Sequence, residues 1–260
     1  MEFFKFHGTG NDFIMVDNRD GLASLDEGTV KDLCHRRFGI GADGLILLQK
    51  DPDHDMRMIY YNSDGKESTM CGNGGRCLAA FANYLGMIDS EGTFNAIDGI
   101  HAFSVLNRTS DVWQVKLGMN EVTIASGDQT GDLIVDTGSP HFVRLVDDPA
   151  KIDIIQKAKE IRYSQRFKDD GINVNFISEG EHGITIRTYE RGVENETLSC
   201  GTGCVAAAIA TGRGMADGHH EVIISTQGGK VKVTFTKTGT EYKDVFLTGP
   251  AEMVFKGKRE

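Results

Sequence analysis

No apolar run in this 260-residue chain approaches the roughly 20 residues that a helix needs to cross a bilayer, so no membrane-spanning helix is expected. A basic block is missing too. Lysine and arginine number 28 against 38 aspartates and glutamates, a formal net charge of −10. That balance disfavours nucleic acid or an anionic membrane as a partner. Cysteines are few and odd in number: Cys34, Cys71, Cys77, Cys200 and Cys204. Such a set is not a disulfide framework and points to a reducing, cytoplasmic compartment. The opening MEFFKFHGTGNDF has no basic start, apolar core or small-residue cleavage site, and does not read as a secretory signal. Proline is scarce, at 4 residues, whereas glycine reaches 32. With 39% apolar and 25% charged residues, the composition is that of an ordinary globular protein.

The glycines gather in short clusters: HGTGN, GIGADG, CGNGG, CGTG and QGG. Clusters of this kind mark tight turns or close approaches of backbone to a ligand. Two of them are copies. Cys71-Gly72-Asn73-Gly74 returns 129 positions later as Cys200-Gly201-Thr202-Gly203, each followed by an alanine-rich helical pattern. The same offset carries Phe13 onto Phe142, Tyr60 onto Tyr189, Glu67 onto Glu196 and Gly99 onto Gly228. A period this long excludes a solenoid and implies two domains of one fold. The halves are expected at 1–118 and 119–249, the tail 250–260 returning to the first as an extra strand. Each half reads as an opening strand (5–18 and 133–148), a helix (about Leu25–Arg37 and Ile152–Tyr163), two strands, the Cys-Gly-x-Gly helix and further strands. The class is therefore α/β (α+β), with two pseudo-symmetric domains.

A cysteine opening a helix has a definite chemistry. The first turn leaves backbone N–H groups outside the helical ladder, and the helix dipole there is positive. A thiolate is favoured in that position, and the N–H groups can hold a carboxylate. Two such helix starts, one per half, suit stereoinversion next to a carboxylate. One thiolate removes the α-proton from one face, and the other sulfur, as a thiol, protonates the opposite face. The N–H groups stabilise the charge that develops.

Plainer readings stand beside this one. A buried cysteine is usually a small inert hydrophobe, the expected role of Cys34, Cys77 and Cys204. A zinc site from Cys71, Cys77, Cys200 and Cys204 lacks the usual spacings. An anion-binding protein without catalysis, or a redox protein shuttling a Cys71–Cys200 disulfide, would also use these residues. GIGADG matches the dinucleotide fingerprint literally, but it follows a helix and precedes a strand, the reverse of the required order, and reads as a turn. His7, His35, His54, His101, His182, His219 and His220 show no mutual spacing that implies a site, whereas His141 lies in the turn Gly-Ser-Pro-His.

Taken together, FHGTGNDF, RRFGIGADG, the turn Asn62-Ser63-Asp64-Gly65, MCGNGGRC, SPHFV, INVNF, YERGVENETLSCGTG and LTGPAEMVF resemble the diaminopimelate epimerase family over almost the whole chain. The resemblance implies two domains, each a barrel-like sheet around a central helix, with the substrate at their interface. It implies interconversion of LL- and meso-diaminopimelate for lysine and peptidoglycan synthesis, without a cofactor or metal, by a homodimer. Carried onto this sequence, Cys71 and Cys200 correspond to the proton-transferring pair. Gly72, Asn73, Gly201 and Thr202 correspond to the groups holding the reacting carboxylate. Asn11, Asn62, Asn173, Glu190 and Arg191 correspond to polar residues around the substrate, and His141 and Glu190 to positions that influence the cysteines' ionisation. Two positions depart from the family pattern: Ser139 stands where Asn-Pro-His is common, and Gly44 where some members carry glutamine. A racemase of another polar amino acid, such as histidine, is the alternative on the same fold.

Overall fold

The structure is a computed structural model that describes residues 1–124 and 131–259. The chain divides into two compact units, Met1–Leu117 with Gly249–Glu260, and Gly118–Thr248.

In the first unit, β1 (Glu2–Gly8) and β2 (Asn11–Asp17) are followed by α1 (Glu27–Cys34), β3 (Gly44–Gln49), β4 (Met56–Asn62) and α2 (Gly72–Tyr84). Then come β5 (Glu91–Ala96), β6 (Gly99–Thr109) and β7 (Val112–Gly118). The second unit contains β8 (Val122–Thr123), β9 (Leu133–Asp136), β10 (Pro140–Leu145), α3 (Ile154–Arg162), β11 (Asn173–Gly180) and β12 (Gly183–Glu190). It continues with β13 (Asn195–Thr197), α4 (Gly201–Gly212), β14 (Gly218–Thr226), β15 (Gly229–Thr238) and β16 (Glu241–Lys258).

The last strand belongs to both units. Its first part pairs with β15 and β8, and its end pairs with β7 and β1. In the first unit the order β1-β2-β3-β4-β5-β6-β7-β16 returns to β1, an eight-stranded closed barrel. The second unit repeats this order as β9-β10-β11-β12-β14-β15-β16-β8, with β13 beside β12.

Strand chemistry explains the two layers around each sheet. The run Leu45-Ile46-Leu47-Leu48 is buried throughout. Leu45 and Leu47 pack with Val30 and Leu33 of α1 on the outer face, alongside Ile14, Val16 and Ile59. Ile46 faces α2, and a Cβ on Gly74 would come within 3.0 Å of its Cδ1. A strand covered on both faces reads as a continuous apolar run, not an alternating one. The helix inside the barrel is buried from Gly72 to Ala82. Its glycines are steric necessities: a Cβ on Gly75 would lie 2.8 Å from Leu117. In the second unit α3 covers the outer face through Ile154 and Ala158, against Phe142, Val174 and Phe176.

Several sequence expectations are corrected. The segment 5–18 is a hairpin and not one strand. Thr9 and Gly10 both take positive φ, 50° and 85°, between the paired residues Gly8 and Asn11. Two successive positive φ values define the tight turn whose twist suits a hairpin. Segment 133–148 likewise folds back, as β9 and β10. The outer helices end earlier than expected, at Cys34 and Arg162, and start later because Asp26 and Asp153 cap them, accepting from the Thr29 and Gln156 N–H groups at 2.7 and 3.1 Å. The structural counterpart of Gly99 is Gly229, not Gly228, since each opens a strand with positive φ after a two-residue turn. GIGADG is the turn between α1 and β3. No helix among the described residues is long and apolar enough to cross a membrane.

Candidate active site

Each unit places its Cys-Gly-x-Gly segment at the start of the central helix. Cys71 (φ −100°, ψ 131°) and Cys200 (φ −119°, ψ 115°) stand in extended backbone as the residues before the first helical turn. The first intrahelical bonds run from the Gly75 N–H to the Cys71 carbonyl at 2.8 Å and from the Cys204 N–H to the Cys200 carbonyl at 2.9 Å. The N–H groups of residues 72–74 and 201–203 therefore lie outside the helical ladder, as an anion cradle requires.

In the first unit, Asn11 opens β2 beside Cys71. The Cys71 thiol donates to Asn11 Oδ1 at 3.5 Å, and Asn73 Nδ2 donates to the same oxygen at 3.2 Å. Asn11 Nδ2 donates to Asp43 Oδ2 at 2.8 Å, and Asp43 also receives Arg36 at 2.7 Å. Beneath the helix start lies Arg76, fully buried. It donates to the carbonyls of Gly72 and Pro250 at 3.2 and 3.3 Å and to Asn73 Oδ1 at 2.9 Å. Thr9 Oγ1 reaches Asn73 Oδ1 at 3.4 Å. Asn62 ends β4 at the same end of the sheet, where the register aligns Phe13, Gly44 and Asn62. It is held separately, accepting from the Tyr60 hydroxyl at 2.7 Å. Gly44 lies against that same tyrosine: a Cβ would stand 2.6 Å from Tyr60 Cε2 and 2.6 Å from the Tyr61 carbonyl.

In the second unit, His141, Asn173 and Glu190 occupy the matching ends of β10, β11 and β12. His141 is buried, and its Nε2 lies 2.9 Å from Thr202 Oγ1, which in turn lies 3.4 Å from Cys200 Sγ. Asn173 ties two turns together: its Nδ2 donates to Ser139 Oγ and the Pro140 carbonyl at 2.9 and 3.0 Å, and its Oδ1 accepts the Arg191 N–H at 2.8 Å. Glu190 accepts from Thr197 Oγ1 at 3.0 Å. Arg191 is exposed, with Nη1 on the Asp170 carbonyl at 3.1 Å.

The helix-start argument alone misjudges Cys200. Burial, reinforced by the Glu190 carboxylate, pushes its thiol well above the ordinary cysteine range. Hydrogen bonds from Thr202 and the Gly203 N–H pull the other way and are outweighed. Burial also raises Cys34, to about 11, and Cys77. It pushes His141 down to about 3, so that imidazole is neutral at physiological pH. Among the described residues no three His, Cys, Asp or Glu side chains gather as a metal-ligand set.

Thr9, Arg76 and Asn175 are absent from the sequence-derived set. Arginine inside the otherwise small and apolar GNGGRCLAAFA was a visible anomaly. Asn175 was visible by alternation: Val174 and Phe176 face α3, so residue 175 faces the interior.

A sequence model of one protein family, diaminopimelate epimerase, matches residues 3–122 and 133–254. A protein of Flavobacterium psychrophilum named diaminopimelate epimerase is 45% identical over 258 residues, spanning 98% of this chain and 99% of that protein. One of Aquifex aeolicus with the same name is 36% identical over 277 residues, spanning 99% and 97%. Among solved structures, a phenazine biosynthesis protein of the PhzF family from Bacillus anthracis superposes with a TM-score of 0.73 at 15% identity, covering 100% of this chain and 99% of that one. A hydroxyproline epimerase from Agrobacterium vitis superposes with a TM-score of 0.66 at 18% identity, covering 99% and 91%. At these identities the two structures speak for the fold alone.

Proposed function

Because the chain belongs to the diaminopimelate epimerase family, we propose that Cys71 and Cys200 are the two proton carriers of its reaction. The protein is an isomerase that interconverts LL- and meso-2,6-diaminopimelate. One sulfur, as thiolate, takes the α-proton and becomes a thiol. The C–H electron pair spreads into the neighbouring carboxylate and returns to carbon as the second sulfur, a thiol, delivers its proton to the opposite face. The two sulfurs finish with exchanged protonation states. The reverse reaction, or exchange with water, restores them.

The chain's own groups supply the rest. Backbone N–H groups at Gly72, Asn73, Gly201 and Thr202 hold the α-carboxylate and stabilise the charge it gains. Arg191 pairs with the distal carboxylate through its planar fork, Glu190 accepts from an ammonium, and Asn11, Asn62 and Asn173 complete the polar surroundings. His141 and Glu190 tune the sulfurs. Sulfur serves as both acid and base, so the chemistry calls for no cofactor. The same reading puts the enzyme in the cytoplasm, as a homodimer, in lysine and peptidoglycan precursor synthesis.

The observation that carries this reading is a duplicated one: each unit begins its buried helix with a cysteine in extended backbone, and the N–H groups that follow it lie outside the helical ladder. The test is incubation of the purified protein with LL-diaminopimelate in D2O, beside a panel of single amino acids that includes histidine. The expected product is meso-diaminopimelate carrying deuterium at the inverted α-carbon. Faster inversion of a single amino acid than of diaminopimelate would overturn the substrate, and inversion without deuterium would overturn the proton-transfer chemistry.

A further inference from the structure

We propose that Asn175 is a positioning residue for Cys200: it fixes the tautomer of His141, and His141 in turn directs the Thr202 hydroxyl proton to the Cys200 sulfur. The inference rests on the reading of Cys200 as a proton carrier.

The orientation of the Asn175 amide follows from its neighbours. One end of the amide lies 2.9 Å from the Phe142 carbonyl oxygen, which can only accept, so that end must be the NH2 group. The other end lies 2.9 Å from the Thr188 hydroxyl, which donates to it. The same NH2 group lies 3.0 Å from His141 Nδ1. Its second hydrogen meets that nitrogen, which must therefore accept and carry no proton. A neutral imidazole with a bare Nδ1 carries its hydrogen on Nε2. That N–H donates to Thr202 Oγ1 at 2.9 Å. The hydroxyl, with one lone pair so occupied, has its own hydrogen available for Cys200 Sγ at 3.4 Å.

The cluster is buried and closely fitted. Asn175 and His141 are both fully buried. A Cβ on Gly203 would stand 2.8 Å from Asn175 Oδ1, so the glycine of the helix start makes room for this amide. The charged and titratable groups acting on the relay are Glu190 and Cys204, which act on Cys200, and Arg191, which acts on His141. Glu190 opposes a thiolate at Cys200. The hydroxyl proton from Thr202, beside the Gly203 N–H, meets the negative sulfur once Cys200 has given its proton to substrate.

The test begins with the unaltered protein. Long-range 1H–15N spectra of histidine-labelled protein show which ring nitrogen of His141 is protonated, with and without activity. We expect Nε2–H and a neutral ring at pH 7. Nδ1–H or an imidazolium there overturns the proposal, whether or not any variant folds. Asn175→Asp places an oxygen against Nδ1 and should move the proton to Nδ1, turning the Thr202 hydroxyl toward the ring. Loss of a hydrogen bond to a charged group should then lower kcat by roughly ten- to a hundredfold. KM should hold, and the pH profile of Cys200 alkylation should move to higher pH. Thr188→Val breaks another hydrogen bond in the same cluster yet leaves Phe142 and His141 satisfied, so its tautomer, kcat and alkylation profile should stay as in the parent. Equal losses in both variants would show a merely structural role, and unchanged kcat in Asn175→Asp with Nδ1–H would sever the relay from the chemistry. Should Cys200→Ala retain epimerisation, the parent reading falls while the tautomer measurement still stands.

Discussion

Asn11 turns its amide oxygen to the Cys71 sulfur, at 3.5 Å, because its amide nitrogen is taken by the Asp43 carboxylate at 2.8 Å. An acceptor fixed in this way orients the thiol proton. Asn11→Leu keeps the volume and removes the acceptor, and Asn73 Nδ2 loses its 3.2 Å partner with it. We expect kcat/KM for diaminopimelate to fall by roughly ten- to a hundredfold, with the alkylation rate of Cys200 unchanged. Steady-state kinetics and peptide-resolved mass spectrometry measure the two. A normal kcat/KM would remove Asn11 from the site.

Two carriers serving opposite faces cannot replace one another. Cys71→Ala and Cys200→Ala should each abolish inversion in both directions. Each should still exchange the α-proton of one stereoisomer with solvent, and the two variants should prefer opposite isomers. NMR in D2O follows inversion and α-deuteration separately. A single base swinging between faces would leave one cysteine dispensable.

His141 confers a pH dependence whose sign can be stated. Its buried ring accepts a proton only near pH 3, whereas in the unfolded chain it does so near 6.5. Between those values the unfolded state binds more protons, so stability falls as the pH drops. The effect is absent above about 6.5, grows by up to about 1.4 kcal/mol per pH unit below it, and stops growing below about 3. Urea unfolding from pH 7 to 5 should show a steeper loss in the parent than in His141→Gln. Equal slopes would mean that the native ring takes up its proton at the same pH as the unfolded one.

Gly44 carries a steric prediction. Its missing Cβ leaves room for the Tyr60 ring, whose hydroxyl holds Asn62. Gly44→Ala should cost about 1–3 kcal/mol through overpacking, because the Tyr61 carbonyl on the other side is main chain and cannot rotate away. KM for diaminopimelate should rise as Asn62 is displaced. Thermal unfolding and initial rates report both, and an unchanged Tm would show that the tyrosine yields freely.

Much of the fold is legible in the sequence because duplication writes the same landmarks twice. The pair of Cys-Gly-x-Gly segments marks two helix starts, whereas the enclosure of those helices by a sheet is implied only by the family resemblance and the packing of Gly74 and Gly75 against Ile46 and Leu117 is seen only in the fold. The hairpin at Thr9 escapes such a reading, since a β-branched residue with positive φ is not expected from propensity. It is accommodated where Thr9 meets Asn73 and Arg76 at 3.4 Å. The direction of the Cys200 shift escapes for another reason. Sequence shows the helix start, which favours a thiolate, but desolvation and the approach of Glu190 arise only on folding. Arg76 and Asn175 are buried polar groups whose meaning lies in partners far along the chain, such as Pro250 and His141.

The last strand has a consequence for how the protein is made. Lys258 pairs with Glu2, so the first barrel closes with residues from the opposite extreme of the chain. Gly118–Thr248, by contrast, is a continuous stretch. During synthesis the second unit therefore has all its strands in hand before the first can complete its ring. Until Gly249–Lys258 emerges, β1 and β7 each present an unpaired edge, a template for the wrong strand. The order of completion is thus the reverse of the order of translation, and β1, made before every other strand described, is among the last to be sealed.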